Sequence, residues 1–196
     1  MENPEYLMIH IENGLTKFLR RSQMRKRKNQ SIIKPFIKRK YFKKIIVNWK
    51  NLKEVIKKSD YYDFEIIKSN KQKRSGKYDL RENSIIINNA KNFFDFNFMK
   101  ELVDKNKYFT YVKWNVHIYA SYNKKSSSFN KHFDYAHNFI VPQQGKSRWI
   151  LDDFCDTILE PGDLLYIPYE WKHECIPLEK RISLSFPFWP EESPSL

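Results

Sequence analysis

Two histidines and one aspartate are the residues of this chain best suited to carry chemistry. His132 and Asp134 stand two positions apart, and His173 follows later in the chain, behind the turn-forming segment 160–163. On a strand, residues two apart point to the same face, so a strand folding back with His173 would bring two imidazoles and one carboxylate together. That set is typical of a mononuclear non-haem iron site, whose open side accepts a bidentate co-substrate and then O₂.

A His-x-Asp triplet alone is a weak signal, and its surroundings make it stronger. Short apolar runs alternate with turn-forming residues after Asp134, which is typical of a barrel or jelly roll rather than a helical or βαβ fold. The predicted strands and turns are, in order, strand 139–141, turn 142–145, strand 149–151, turn 160–163, strand 164–167, Pro168 as a stop, and His173 opening the next strand.

Between residues 111 and 188 the chain resembles the cupin-like and Jumonji-C-type Fe(II)- and 2-oxoglutarate-dependent oxygenases. His132, Asp134, Asn138 and Gly145 match the spacing of the first cupin motif, with Asp in place of its second His and Asn in place of its Glu. The run of residues 132–149 looks especially like the ribosomal-protein hydroxylases and the asparaginyl hydroxylase of the hypoxia pathway.

The second cupin motif is matched by Gly162, Pro168 and His173, although Glu170 stands where that motif usually has Gly. The resemblance implies a mainly β fold, a double-stranded β-helix of the jelly-roll, cupin-like type with N-terminal and flanking helices. We predict a basic, partly helical N-terminal extension over residues 1–30 and a single cupin-like oxygenase domain over residues 31–196, with the barrel core at about 108–188.

By this resemblance, His132, Asp134 and His173 hold Fe(II), 2-oxoglutarate is the co-substrate, and O₂ is the oxidant. Asn138 is assigned to the co-substrate site. The implied activity is hydroxylation of a side chain in a protein or peptide. The alternatives are hydroxylation of a small amino-acid-like metabolite, N-demethylation by the same chemistry, and a non-oxygenase cupin that binds or isomerises a small molecule.

The chain departs from these relatives at one position. They carry a Lys or Arg two residues after the Gly of this turn, where it binds the far carboxylate of 2-oxoglutarate, and this chain has Ser147. Lys146 and Arg148 should face away from Ser147's side of the strand. Other members of the superfamily use an Arg-x-Ser element after the distal His, so we expect Arg181 and Ser183 to anchor the co-substrate by a bidentate guanidinium contact and a hydroxyl.

The net charge of +13 is concentrated near the amino terminus. Residues 13–53 contain 15 Lys and Arg and no acid, whereas the other 21 basic and 23 acidic residues nearly cancel. Basic clusters interleaved with aromatics can bind nucleic acid. Because no recognised binding motif accompanies them, a solvated helix followed by strands is the favoured interpretation, and nucleic acid stays an alternative partner.

The remaining patterns predict flanking elements and a cellular setting. The absence of a secretory signal and of a long apolar run favours a cytoplasmic protein with no membrane segment, in which Cys155 and Cys175 need not pair. The predicted elements are a helix at 8–28, an edge strand at 32–37, a helix at 49–57, strands at 62–67 and 84–87 around a polar loop at 68–79, a helix at 93–103 and one long strand at 108–122.

Overall fold

A computed structural model describes residues 34–58, 64–68, 71–73, 83–94, 96, 112–126 and 128–190. These residues form one helix, one 3-10 turn at Ala90–Asn92 and twelve strands. The elements are α1 (Trp49–Lys58), β1 (Phe36–Lys38), β2 (Phe64–Lys68), β3 (Lys71–Lys73), β4 (Ser84–Ile87), β5 (Val112–Trp114), β6 (His117–Ser121), β7 (His137–Gln144), β8 (Ser147–Leu151), β9 (Cys155–Leu159), β10 (Leu164–Ile167), β11 (His173–Pro177) and β12 (Arg181–Pro190).

The chain divides into two compact units, of which the larger comprises Lys34–Phe94 and Asn115–Pro187. Its large sheet has the strand order β1-β10-β7-β12-β6-β4-β2-β3, and its small sheet has the order β11-β8-β9. Strands that are neighbours in space but distant in sequence, such as β10 beside β7, are typical of a jelly roll. In the second unit, β5 pairs antiparallel with residues 188–190 of β12.

An apolar cluster fills one half of the space between the two sheets. Ile140, Leu165 and Ile167 of the large sheet pack in one buried cluster with the small sheet's Trp149, Leu151, Leu159 and Cys175. Burying an aliphatic or aromatic side chain of this size contributes roughly 1.5–3 kcal/mol, so this cluster holds the sheets face to face. The predicted mainly β, double-stranded β-helix fold is confirmed.

The other half of the interior is polar. On β6 and β12 the apolar residues Ile118, Ala120, Ile182 and Leu184 are fully buried, while the residues between them belong to the opposite face. That second face carries His117, Tyr119 and Ser121 of β6 opposite Ser185, Ser183 and Arg181 of β12. Polar residues inside a small barrel require ligands or mutual hydrogen bonds, so this half is where a site is expected.

Several predicted elements are confirmed. Strands at 84–87 and 164–167 match β4 and β10, and the helix predicted at 49–57 is α1. Asn48 caps that helix, since its side-chain oxygen accepts from the backbone N–H of Lys50 at 2.9 Å and of Asn51 at 3.1 Å. Of the edge strand predicted at 32–37, residues 36 and 37 lie in β1 and residues 34 and 35 precede it, and β1 pairs only with β10 among the described strands.

Three predicted elements were wrong in part. The long strand at 108–122 is interrupted between β5 and β6, where the side-chain oxygen of Asn115 accepts from the backbone N–H of Val116 at 2.8 Å. The loop at 68–79 contains β3, which pairs with β2 through backbone hydrogen bonds that do not require apolar residues. The turn at 142–145 starts later, because β7 continues to Gln144.

The helix predicted at 8–28 lies outside the described residues, as does most of the one predicted at 93–103. The division of the chain near residue 30 therefore stays a prediction. Among the described residues, no helix is both long and apolar enough to cross a bilayer.

Gly145 allows the β7–β8 turn to pack against the start of β12. Its φ is +68°, and a Cβ added there would lie 2.1 Å from the carbonyl oxygen of Lys180 and 2.9 Å from the Cα of Arg181. Both the left-handed backbone and this close approach require glycine. The position of Arg181 consequently depends on the residue at 145.

Gly145→Ala should destabilise the protein by about 2 kcal/mol or more, because strain and a backbone clash act together. Urea unfolding would measure the change, with Lys146→Ala as a control at the neighbouring exposed position. Equal unfolding free energies for the Gly145→Ala and Lys146→Ala variants would contradict the packing of this turn.

Candidate metal centre and its pocket

His132 and His173 are joined by a pair of backbone hydrogen bonds. The N–H of His132 donates to the carbonyl of His173 at 3.0 Å, and the N–H of His173 donates to the carbonyl of His132 at 2.8 Å. The expectation that His132 and Asp134 lie on a strand was wrong, since they lie on the segment before β7 and only this bridge aligns them with β11. The bridge brings the two imidazole rings to 4.4 Å between centroids.

Both histidines present the same ring nitrogen to the centre. The Nδ1 atom of His132 lies 2.7 Å from the carbonyl oxygen of Asn130, and that of His173 lies 2.9 Å from the carbonyl oxygen of Trp171. A carbonyl accepts only, so each Nδ1 carries the proton and each Nε2 keeps a lone pair for a metal. Burial lowers the pKa of His173, while the backbone hydrogen bond with Trp171 and the charge of Asp134 oppose this shift. The lowered pKa favours the neutral imidazole, which is the form that binds a metal.

Asp134 completes the set. Its Oδ1 lies 3.9 Å from Nε2 of His132 and its Oδ2 lies 3.7 Å from Nε2 of His173. Its backbone carbonyl accepts from the N–H of Glu170 at 2.9 Å, which fixes it to the turn before β11. The three side chains offer ligand atoms within 4.8 Å of one another. Facial ligands of a metal at about 2.1 Å lie about 3 Å apart, so small rotamer changes fit these residues to a divalent ion.

Asn138 and Ser185 orient the carboxylate. The side-chain amide of Asn138 donates to Oδ2 of Asp134 at 2.8 Å, and the hydroxyl of Ser185 donates to Oδ1 of Asn138 at 3.0 Å. Outer hydrogen bonds of this kind set the direction of a metal ligand. Asn138 therefore contacts the candidate metal ligand directly, and Ser185 is a contributor that the sequence analysis missed.

A pocket of about 470 Å³, open to solvent, extends from this centre into the polar half of the interior. Its lining includes the three candidate ligands and, farther along β12, Arg181 and Ser183. Arg181 is 2% exposed. Its Nε donates to the hydroxyl of Ser121 at 3.1 Å and its Nη1 donates to that of Ser183 at 3.3 Å.

No carboxylate in the described part of the chain pairs with Arg181. A buried guanidinium without a counter-charge is costly, since its desolvation is not offset by an ion pair. The pocket therefore combines three candidate metal-ligand side chains with a buried cation that suits a carboxylate. Ser121, which supports that cation, was also missed by the sequence analysis, although its place on the inner face of β6 follows from strand alternation.

The structure accounts for the departure at Ser147. This residue is buried, and its hydroxyl accepts from the indole N–H of Trp149 at 3.0 Å. The neighbouring Lys146 pairs with Glu160 at 2.6 Å, and Arg148 forms an exposed ion pair with Asp156. Both cations face away from the pocket, as strand alternation predicted.

Comparisons with known proteins agree with this fold. A family model described as the JmjC domain matches residues 150–195. The ribosomal oxygenase YcfD of Escherichia coli superimposes with a TM-score of 0.65 and 20% identity, covering 83% of this chain and 49% of YcfD. The complex of YcfD with cobalt and 2-oxoglutarate gives a TM-score of 0.63 and 19% identity over the same 83% and 49%.

The fold of the chain is similar to that of the ribosomal oxygenase YcfD. In sequence, a bifunctional lysine-specific demethylase and histidyl-hydroxylase, NO66 of Drosophila persimilis, is 30% identical over a 73-residue alignment that covers 26% of this chain and 11% of that protein. The chain thus spans about half the length of YcfD and a small part of the fly protein. The candidate ligands lie at the start of β11 and just before β7.

Removing a candidate ligand should abolish metal binding. His173→Ala should weaken Co(II) binding by at least about 100-fold, and Asn138→Ala by about 10-fold because it only orients Asp134. Isothermal titration calorimetry would measure both, with His137→Ala as a control. Retention of wild-type Co(II) affinity by His173→Ala would refute this centre.

Acidification should destabilise the metal-free protein before any ligand is involved. Burial lowers the pKa of both His117 and His137 to about 4, the former opposed by Asp134. In the unfolded chain these two histidines bind protons below about pH 6.5, whereas in the folded chain they do so only near pH 4. Their contribution to the free energy of unfolding is therefore fully present at neutral pH and is lost as the pH falls from 6.5 to 4. Each histidine should lower the free energy of unfolding by about 1–2 kcal/mol at pH 5 relative to pH 7.

Urea unfolding across that pH range would test this dependence. The free energy of unfolding should decrease less with falling pH in His137→Asn than in the wild type, since Asn does not titrate. An identical slope in the two proteins would show that His137 is not buried in its neutral form.

Proposed function

We propose that this chain is an Fe(II)- and 2-oxoglutarate-dependent oxygenase that hydroxylates a side chain of a protein or peptide. The observation that carries the proposal is the pocket itself. It joins two imidazoles and a carboxylate at one end to a buried guanidinium at the other, with which no carboxylate of the described residues forms an ion pair. A metal chelated by one end of a dicarboxylate whose other end meets Arg181 would satisfy both.

Each group along the pocket has a separate task in this proposal. His132, Asp134 and His173 hold the metal, and Asn138 keeps Asp134 in place. Bound Fe(II), with 2-oxoglutarate and O₂, supplies the oxidising power: one oxygen atom enters a substrate C–H bond and the other leaves in succinate, with CO₂ released. The chain's own contribution is to position the reactants and exclude water.

We assign the far carboxylate of the co-substrate to Arg181 and Ser183. Arg181 is buried at the pocket, has donors to spare, and is already held by two serine hydroxyls. A planar fork suits a carboxylate because it can donate two parallel hydrogen bonds. This assignment replaces the Lys or Arg that the resembling hydroxylases carry at the position of Ser147.

A protein substrate is supported by the relatives, which are named a ribosomal oxygenase and a histidyl-hydroxylase. Exposed aromatic side chains beside the candidate ligands fit a polypeptide better than a small metabolite. Phe133 and Tyr135 flank Asp134, and their ring centroids lie 5.2 Å apart. The ring centroid of Tyr169 lies 5.9 Å from that of Tyr135. We further propose a cytoplasmic setting, which the free thiols of Cys155 and Cys175 support.

The activity can be tested without knowing the substrate. The purified chain with Fe(II), O₂ and 2-oxoglutarate should release succinate slowly, and should add 16 mass units to one protein of a host lysate. NMR would measure succinate, and peptide mass spectrometry would locate the added oxygen. If 2-oxoglutarate neither binds nor is consumed, the chain is a cupin of another kind.

The anchor can be tested separately. Arg181→Ala should weaken 2-oxoglutarate binding by about 30- to 1,000-fold, or roughly 2–4 kcal/mol, because a buried carboxylate loses its bidentate partner. Arg181→Lys should recover part of this loss, since a point charge replaces the fork. Titration of the Mn(II)-loaded protein would measure each variant.

Lys146→Ala and Arg148→Ala serve as matched controls, because both remove a cation from the strand that follows Gly145. Their affinities for 2-oxoglutarate should stay within about twofold of wild type, as expected for exposed pairs. A large loss in either control, with little loss in Arg181→Ala, would move the anchor to β8.

A further inference from the structure

A row of hydrogen-bonded side chains crosses three neighbouring strands of the large sheet and ends at Arg181. In the antiparallel register, Arg181 of β12 is opposite Ser121 of β6, and Ser121 is opposite Ser84 of β4. The Nε of Arg181 donates to the hydroxyl of Ser121 at 3.1 Å, and the hydroxyl oxygens of Ser121 and Ser84 lie 2.7 Å apart. The row reaches the pocket through Arg181, which is one of its lining residues.

The guanidinium sets the direction of these hydrogen bonds. A guanidinium N–H can only donate, so the oxygen of Ser121 accepts from Arg181 and keeps its own proton for another acceptor. The hydroxyl oxygen of Ser84 is that acceptor. Both serines are fully buried, so water does not take its place. Because hydrogen bonds in a chain polarise one another, the bond to Ser84 strengthens the bond between Ser121 and Arg181.

Ser84 stands out in its own strand. The four residues of β4 are Ser84 and three isoleucines, and all four are buried. A buried hydroxyl without a partner is costly, and the bond to Ser121 offsets that cost. An apolar residue at position 84 would instead leave the proton of Ser121 without this acceptor. The hydroxyl of Ser84 is thus linked to Arg181 rather than to the apolar packing of β4.

The two serines that contact Arg181 determine which edge of its guanidinium remains for a ligand. Nε is engaged by Ser121, and one N–H of Nη1 is engaged by Ser183. The edge formed by Nη1 and Nη2 still has N–H groups to donate, and such an edge can hold a carboxylate by two parallel hydrogen bonds. Rotation of the guanidinium plane would turn this edge away from a ligand, so the bond at Nε controls how well a carboxylate is held.

We propose that Ser84 is a positioning residue for the co-substrate anchor. Through Ser121 it fixes the guanidinium plane of Arg181, so that the Nη1–Nη2 edge meets the far carboxylate of 2-oxoglutarate. This rests on the proposed function and adds to it a residue on β4, two strands from Arg181, that sets the affinity for the co-substrate. Ser84 does not contact the ligand and acts only through Arg181.

The test is calorimetric titration of 2-oxoglutarate into the Mn(II)-loaded protein. Ser84→Ala should raise Kd about threefold to tenfold, because the guanidinium keeps its charge and loses part of its orientation. A Kd of wild-type size for Ser84→Ala would overturn the proposal.

Ser126→Ala is the matched control. Ser126 is also buried, but its hydroxyl accepts from the backbone N–H groups of Tyr122 at 3.2 Å and Asn123 at 3.3 Å. This control should leave Kd for 2-oxoglutarate unchanged. A loss equal to that of Ser84→Ala would assign the effect to the removal of any buried hydroxyl and overturn the proposal.

Oxalate identifies which end of the co-substrate is affected. It can chelate a metal through its two carboxylates and has no far carboxylate for Arg181. The ratio of Kd between Ser84→Ala and wild type should be close to one for oxalate, and a ratio as large as that for 2-oxoglutarate would contradict an effect through the anchor. If the wild type does not bind 2-oxoglutarate, the proposed function itself fails, whereas normal binding by Ser84→Ala refutes only the role of Ser84.

A double-mutant cycle tests whether Ser84 acts through Arg181. Lys has a methylene group where Arg has Nε, so Arg181→Lys removes the donor to Ser121. Adding Ser84→Ala to Arg181→Lys should change Kd for 2-oxoglutarate by less than about twofold, since coupled residues do not act additively. The full threefold to tenfold loss in this background would show that Ser84 acts by another route, and would overturn the proposal.

Discussion

The backbone bridge between His132 and His173 is the constraint on which the site depends. Neither His132 nor Asp134 lies within a regular strand, yet two reciprocal hydrogen bonds align their segment with the first residue of β11. A third, from Glu170 to the carbonyl of Asp134, holds the same segment on its other side. The placement of the three side chains at the centre therefore rests on main-chain contacts.

The division of the interior explains why a pocket forms where it does. One half is filled by apolar side chains of β7, β8, β10 and β11, and these hold the two sheets together. The other half, between β12 and β6, carries hydroxyls, an imidazole and a guanidinium, which cannot pack without partners. The first half supplies stability and the second supplies binding, so the functional groups are positioned by elements that do not need them for folding.

Much of the site could be predicted from the sequence because its key residues occur in short motifs. His132, Asp134 and His173 were found by type and spacing, and the structure brings all three together. Arg181 and Ser183 were found by resemblance, and the structure puts both at the pocket. Their role with a co-substrate stays a prediction. The local support of Asp134 by Ser185 could not be predicted, since it joins residues of separate strands whose register was unknown.

Other structural features could not be predicted from the sequence patterns, for physical reasons. The interruption between β5 and β6 arises from a side chain of Asn115 that bonds to the next backbone N–H, in a run whose alternation looks continuous. β3 pairs antiparallel with β2 although its three residues, Lys71–Lys73, are all polar. His117 is one polar residue among several on its strand, and it differs from them by an unsatisfied nitrogen, which only three-dimensional packing reveals.

The most direct test of the account is a crystal structure of the chain grown with Co(II) and 2-oxoglutarate. We expect one anomalous peak bonded to His132, Asp134 and His173, with the far carboxylate of the ligand on the guanidinium of Arg181. A metal bound by other residues, or a far carboxylate held by Lys146 or Arg148 while Arg181 remains free, would contradict it.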